Sequence, residues 1–163
     1  MKTKVINVAI EQDLRENYQR YYRLAFRYVH NEADALDIVQ ESAFKAIQHA
    51  DHLQDVTMVH PWIYRIVINT SLSLVNQKKK VEYREDLDDM VSLDPTIDPD
   101  LQHALSHLDD QQQTLLHLRF DQQLKLEEIA QVMHMNVNTI KTKYYRTLEQ
   151  LKGYLKDANH ESK

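Results

Sequence analysis

A single glycine, Gly153, and three prolines, Pro61, Pro95 and Pro99, serve a chain of 163 residues. So few turn formers leave little means of reversing the chain tightly, and a composition rich in Leu, Gln, Glu, Lys and Ala favours helix. The expected fold class is therefore all-α, as one domain or two small ones. Cysteine is absent, which excludes disulfides and thiolate metal sites. No apolar run approaches the roughly 20 residues of a membrane span, and the opening MKTKVINVAIEQD lacks a signal peptide's long apolar core. A cytoplasmic location is the expectation.

The net charge of −5 is unevenly spread. Residues 82–100, EYREDLDDMVSLDPTIDPD, hold eight acids against Arg84 alone, a local charge of −7, so the remaining residues sum to +2. With two prolines and little apolar periodicity, this segment reads as a flexible acidic linker between two small helical domains, 11–81 and 101–156. An acidic total thus does not exclude a nucleic-acid partner.

In the first domain, EQDLRENYQRYYRLAFRYVH predicts one helix over 11–30 with Leu14, Tyr18, Tyr21, Ala25 and Val29 inward. Asn31 is a good cap for a second helix burying Ala35, Ile38, Val39, Ala43, Ala46 and Ile47. After the polar stretch DHLQDVTMVH, Pro61 suits the first turn of a third helix, whose last turn would hold Lys78, Lys79 and Lys80. In the second domain, Leu101, Leu105 and Leu108 suggest one helix, and Thr114, Leu115, Leu118 and Phe120 another.

LEEIAQVMHMNVNTIKTKYYRTL, residues 126–148, is patterned as a helix-turn-helix. Leu126, Ile129, Ala130 and Met133 face inward on the first helix; Val137, Ile140, Tyr144 and Leu148 do so on the second. His134 stands where such turns often carry Gly, since the backbone there needs φ > 0, a conformation His tolerates better than most residues. Asn136 can cap the second helix. Outward lie Asn138, Thr139, Lys141, Thr142, Tyr145 and Arg146, and Lys143 adds a further cation. Short polar groups could meet base edges, the cations phosphates, and Arg146 a guanine edge. The same periodicity also suits an ordinary helical hairpin with a solvated face.

Two further patterns carry chemistry. Asp34, Asp37 and Glu41, with Gln40, form an acidic stripe, which suits either solvent or a basic partner surface. PWIYRIVINTSLSLVNQKKK sets Trp62 and Tyr64 beside Arg65, Asn69, Ser73 and three lysines, as single-stranded DNA binding requires. Trp62, next to Ile63, Ile66 and Val67, is read as a core anchor. His103 and His107 have the i, i+4 spacing of a metal pair but lack an HExxH context. His49, His52 and His60 fare no better, so no metal or cofactor is expected.

Taken in order, YYRLAFRYVHNEADALDIVQESAFKAI, PWIYRIVINTSLSLVNQKKK and LKLEEIAQVMHMNVNTIKTKYYRTLEQLK resemble the extracytoplasmic-function sigma factors of bacterial RNA polymerase, which keep only sigma regions 2 and 4. The resemblance implies a non-enzymatic transcription initiation factor, monomeric when free. It implies that Asp34, Asp37, Gln40 and Glu41 dock RNA polymerase core. The loop from Asp51 to His60 would capture a flipped base of the downstream promoter element. Tyr64, Arg65, Asn69 and Ser73 would face that strand, with Lys78, Lys79 and Lys80 near its phosphates. The helix from Asn136 would read the upstream promoter DNA, and an anti-sigma factor is a common family partner. The sequence departs from the family in His134, in Lys143, in Tyr144 and Tyr145, and in the want of an aromatic in the loop before Trp62. The alternative is a stand-alone helix-turn-helix regulator with an N-terminal dimerisation or sensing module; a helical interaction protein without nucleic acid is a third reading.

Overall fold

The computed structural model describes residues 2–84 and 98–161. Eight α-helices make up almost all of them: α1 Lys2–Glu16, α2 Tyr18–Val29, α3 Glu32–Gln48, α4 Val59–Arg84, α5 Pro99–Ser106, α6 Asp110–Leu116, α7 Leu126–Met133 and α8 Val137–Glu161. No strand occurs among the described residues. The chain divides into two compact units, Met1–Leu87 and Asp88–Lys163. Residues 85–97, most of the expected linker, lie outside the described residues; its two ends are helical, since α4 runs to Arg84 and α5 begins at Pro99.

In the first unit α2, α3 and α4 pack on one another, and α1 lies against all three. The single helix expected over 11–30 is instead two. The break falls at Asn17, and α1 starts far earlier, with Ile6 and Ile10 buried. Tyr18, expected inward, is consequently exposed, while Leu24 joins Tyr21, Ala25 and Val29 in the core. α2 ends at His30, whose N–H makes the last helical bond to the Phe26 carbonyl and whose left-handed φ of 56° then turns the chain out of the helix. Asn31 caps α3 as expected, its side chain accepting from Asp34 N at 2.8 Å. Ala35, Ile38, Val39 and Ala46 of α3 are buried, but Ala43 is half-buried and Ile47 is exposed. Ser42 takes the place of an apolar residue in the buried stripe. Complete burial of Tyr21, Leu24, Ile38, Ile63 and Tyr64 contributes about 1.5–3 kcal/mol per large side chain.

Between α3 and α4 the chain makes two 3-10 turns, Ala50–His52 and Val56–Met58. Asp55 holds the second, accepting from Thr57 N at 3.0 Å and Thr57 Oγ1 at 2.7 Å; these bonds keep its carboxyl below the usual carboxylate range. α4 continues beyond Lys80 to Arg84, so the three lysines do not occupy its last turn.

In the second unit α5, α6 and α7 all pack on α8. Asp98 caps α5 ahead of Pro99 at its first position, and Asp109 with Gln112 forms a capping box on α6. A π-helical turn, His117–Asp121, follows and leaves Phe120 exposed rather than inward. Leu115, Leu118, Ile129, Ile140 and Thr147 are buried at its centre.

Candidate nucleic-acid interface

The helix-turn-helix forms where its periodicity places it. Glu128 Oε1 accepts from Lys125 N at 3.0 Å at the start of α7, satisfying an orphan donor. His134 adopts φ 56° and ψ 47°, and the following Met135 N–H bonds to Ala130 O at 3.0 Å, closing the turn without a glycine. Asn136 Oδ1 accepts from Asn138 N at 2.8 Å, so Asn136 spends its carbonyl on capping α8. Ile140 is fully buried, fixing which side of α8 faces the core.

Asn138, Thr139, Lys141, Thr142, Tyr145 and Arg146 are all exposed, and Lys143 is half-exposed. Asn138, Thr139, Thr142, Lys143 and Arg146 line one shallow concavity of about 330 Å³. Thr142 also bonds its own helix at Asn138 O, 3.0 Å. Orientation of α8 comes partly from Gln112: its Nε2 donates to Gln150 Oε1 at 2.7 Å and to Thr147 Oγ1 at 3.3 Å. Tyr144 packs beside Phe120 at 6.3 Å and Tyr145 at 5.3 Å, with the Arg119 guanidinium 5.9 Å from its ring centre.

The first unit holds a second site of different build. Lys45 from α3, His49 and His52 from the end of α3 and the turn, and Trp62, Ile66, Asn69 and Thr70 from α4 surround a cavity of about 260 Å³. The imidazoles of His49 and His52 lie 5.1 Å apart and 31° from parallel. Lys45 Nζ donates to Thr70 Oγ1 at 3.2 Å and pairs with Glu41 at 3.2 Å, bridging α3 to α4. A flat, partly aromatic recess with a cation and an amide at its edge can accept one planar ring and hydrogen-bond its rim.

Several expectations need correcting here. Trp62 is half-buried on this cavity instead of anchoring the core. Tyr64 is fully buried, edge-on to Tyr21 at 5.0 Å and to His60 at 4.8 Å, so it cannot face a strand. On α4 the period places Trp62, Ile66, Asn69 and Ser73 along one side, and Tyr64 points opposite. Arg65 is half-buried, and burial draws its guanidinium below the usual value; Asn69 and Ser73 are exposed. Lys78, Lys79 and Lys80 are exposed, but Lys78 pairs with Asp34, whose carboxylate also accepts from Asn31 Nδ2 at 2.7 Å. Those bonds, Asn31's first and Lys78's second, hold the Asp34 carboxyl below the usual range. Asp34 is thereby occupied within the unit, while Asp37, Gln40 and Glu41 stay exposed on α3. Leu36, Phe44 and Ile47 are exposed along the same helix.

Sequence reasoning missed Lys45, His49, Ile66 and Thr70, and reached His52 only as part of the loop from Asp51 to His60. They come from three separate elements, and no one-dimensional spacing joins them. No cluster of three or more metal-ligating side chains occurs among the described residues, and no described helix is long and apolar enough to cross a membrane.

Residues 14–81 match the Sigma-70 region 2 family and residues 99–151 the Sigma-70, region 4 family. The chain is 39% identical over 138 residues to the RNA polymerase sigma factor SigV of Bacillus subtilis, covering 82% of this chain and 83% of that protein. The chain belongs to the sigma-70 family, extracytoplasmic-function type. It is also 27% identical over 160 residues to the ECF RNA polymerase sigma factor SigW of the same organism, covering 85% and 84% of the two chains. Among solved structures, the sigma factor RpoE of Bartonella quintana, crystallised with the anti-sigma factor NepR, superposes with a TM-score of 0.65 at 21% identity. That superposition covers 90% of this sigma factor and 96% of the other and supports the fold.

Proposed function

We propose that this sigma factor is a dissociable, non-enzymatic subunit that directs core RNA polymerase to promoters in the cytoplasm and helps to open them. On this reading α8 reads upstream duplex DNA with Asn138, Thr139, Lys141, Thr142, Lys143, Tyr145 and Arg146, while Asn136 orients the helix as its cap. A base extruded from the downstream element enters the recess between α3, the turn and α4. Asn69 and Lys45 meet its polar edge, Trp62 and the two imidazoles its faces. Arg65, Ser73, Lys79 and Lys80 follow the strand. Extrusion costs a few kcal/mol, which stacking at about 1–3 kcal/mol per base can offset. The observation that carries the reading is the coexistence, in one chain, of an exposed polar and cationic face on α8 and a partly aromatic recess of about 260 Å³.

Core polymerase is proposed to dock on α3 through Asp37, Gln40 and Glu41. Beside these acids Phe44 and Ile47 expose 64% and 54% of their surface, the mixture of apolar and charged groups that a protein interface covers. An anti-sigma factor is proposed to compete for that face. With only +2 outside the acidic segment, DNA affinity of the free chain should be weak, the polymerase supplying most of the grip. The test is run-off transcription from genomic fragments with reconstituted core. Asp37→Lys with Glu41→Lys should abolish core binding at unchanged helix content. Normal core binding by that variant would remove the docking assignment, and tight binding of the free protein to a palindromic duplex, without core binding, would overturn the whole reading.

A further inference from the structure

We propose that Asp13 and His60 are positioning residues for promoter opening: their bond ties α1 to the first turn of α4 and pre-shapes the recess around Trp62. The inference rests on the proposed base-binding role of that recess.

α1 packs on both 3-10 turns between α3 and α4 as well as on α4 itself. It therefore packs on the turn that carries His52 and on the helix that carries Trp62, two of the residues that line the recess. Residues 2–13 precede the region 2 match, and Ile6 and Ile10 are buried, so this helix is anchored rather than trailing. At its C-terminal end, Asp13 Oδ2 accepts from His60 Nδ1 at 2.7 Å, a bond between residues 47 apart in sequence. The other carboxylate oxygen accepts from the Tyr21 phenol of α2. Tyr21 is fully buried; burial first, then the Asp13 charge, push its phenol far up, so it remains a donor. The His60 ring is further confined by Tyr64, edge-on at 4.8 Å, and by Tyr21 at 6.2 Å.

His60 is followed by buried Pro61 and then by Trp62. Proline holds φ near −65°, so the backbone between the tethered imidazole and the recess has little freedom. A recess that receives an extruded base gains most when its walls are set before the base arrives, because ordering them on arrival would add to the unstacking cost. Asp13 and His60 touch no base on this reading. They act through Trp62 and the turns.

The test uses holoenzyme reconstituted with core and the strongest template recovered by run-off selection. Opening is followed by permanganate reactivity, with core affinity and the melting temperature of the free protein measured alongside. His60→Ala should slow opening about tenfold, the scale of one lost charge-assisted hydrogen bond, with core affinity unchanged. His60→Asn, which keeps an N–H near the Nδ1 position, should restore opening to within about twofold. Tyr21→Phe removes the other donor to Asp13, and with it a 3.1 Å contact to His60 Nδ1, but leaves the Asp13–His60 bond, so it should lower the melting temperature without slowing opening. If His60→Ala opens as the unmodified protein does while Trp62→Ala is defective, the positioning role is wrong. It is equally wrong if His60→Ala and Tyr21→Phe slow opening in proportion to their loss of stability. If Trp62→Ala also opens normally, the base-recess reading itself falls.

Discussion

The face of α8 and the recess between α3 and α4, the two nucleic-acid sites of the proposed function, are built by opposite means. On α8 the exposed groups project from one rigid helix, and their spacing follows the helical period. The recess takes side chains from α3, a 3-10 turn and α4, setting Trp62, Ile66 and two imidazoles beside the polar Lys45, Asn69 and Thr70. A duplex presents base edges at a regular rise, which a single helix can match. An extruded base presents two flat faces and one polar edge, which only a concave, multi-element site can enclose. On the proposed function, position-finding falls to the second unit and strand capture to the first.

Breaking the recess should have the largest effect. Trp62→Ala with Asn69→Ala should lower open-complex formation about 10- to 100-fold, from the lost stacking of one base. Core affinity should hold, and permanganate footprinting beside a core-binding assay reads both. Lys141→Ala with Arg146→Ala should do the reverse: loss of upstream-element use by about tenfold, with opening on a premelted template retained. Two cations removed from duplex phosphates should also flatten the salt dependence by about 2 in log–log slope, provided both make phosphate contacts. If each pair of changes harmed both steps alike, the division of labour would be wrong.

The same contrast governs how much could be read in advance. The exposed face of α8 was legible, because Ile140 inward and Asn138, Thr142 and Arg146 outward are set by one period. Buried Thr147 was not foreseen, and Val137, Tyr144 and Leu148 are only half-buried. The recess was legible only as a loop implied by resemblance. Trp62 looked like core because its neighbours Ile63 and Val67 are core, and Tyr64 was placed facing the strand by the resemblance, as an aromatic beside Arg65. One residue's shift along a helix turns the side chain by about 100°, so neighbours in sequence say little about facing. Helix α1 was missed since its apolar residues, Ile6 and Ile10, gain meaning only against α3, α4 and the turns. The expected acidic linker lies mostly outside the described residues.

Smaller effects test the turn chemistry that holds the two sites. Gly153 sits inside α8 with open space where a Cβ would be, whereas His134, at the turn that aims α8, has φ 56°. Gly153→Ala should raise stability by about 0.5–1 kcal/mol in thermal melts, with no effect on promoter use. His134→Gly should relieve up to about 1 kcal/mol of left-handed strain, partly offset by greater unfolded-state freedom. A large loss of stability from His134→Gly would show that the imidazole itself, not the backbone conformation, secures the turn.

The smallest effect concerns the lysines after the recess. Lys78 is paired with Asp34, so two of the three lysines, Lys79 and Lys80, have full charge to offer a strand. Asp34→Asn should lower stability by less than about 1 kcal/mol, since Lys78 is substantially exposed. The same change frees Lys78, and single-strand binding by holoenzyme should steepen its log–log salt slope by about 0.7. The sign with pH is fixed by the depressed Asp34 carboxyl. Its stabilising contribution is fully present above the ordinary carboxylate value near about 3.9 and is lost as pH falls through the lower folded value. An unchanged salt slope in Asp34→Asn would mean that Lys78 lies off the strand's path, narrowing that path to Arg65, Asn69 and Ser73 with the two lysines beyond.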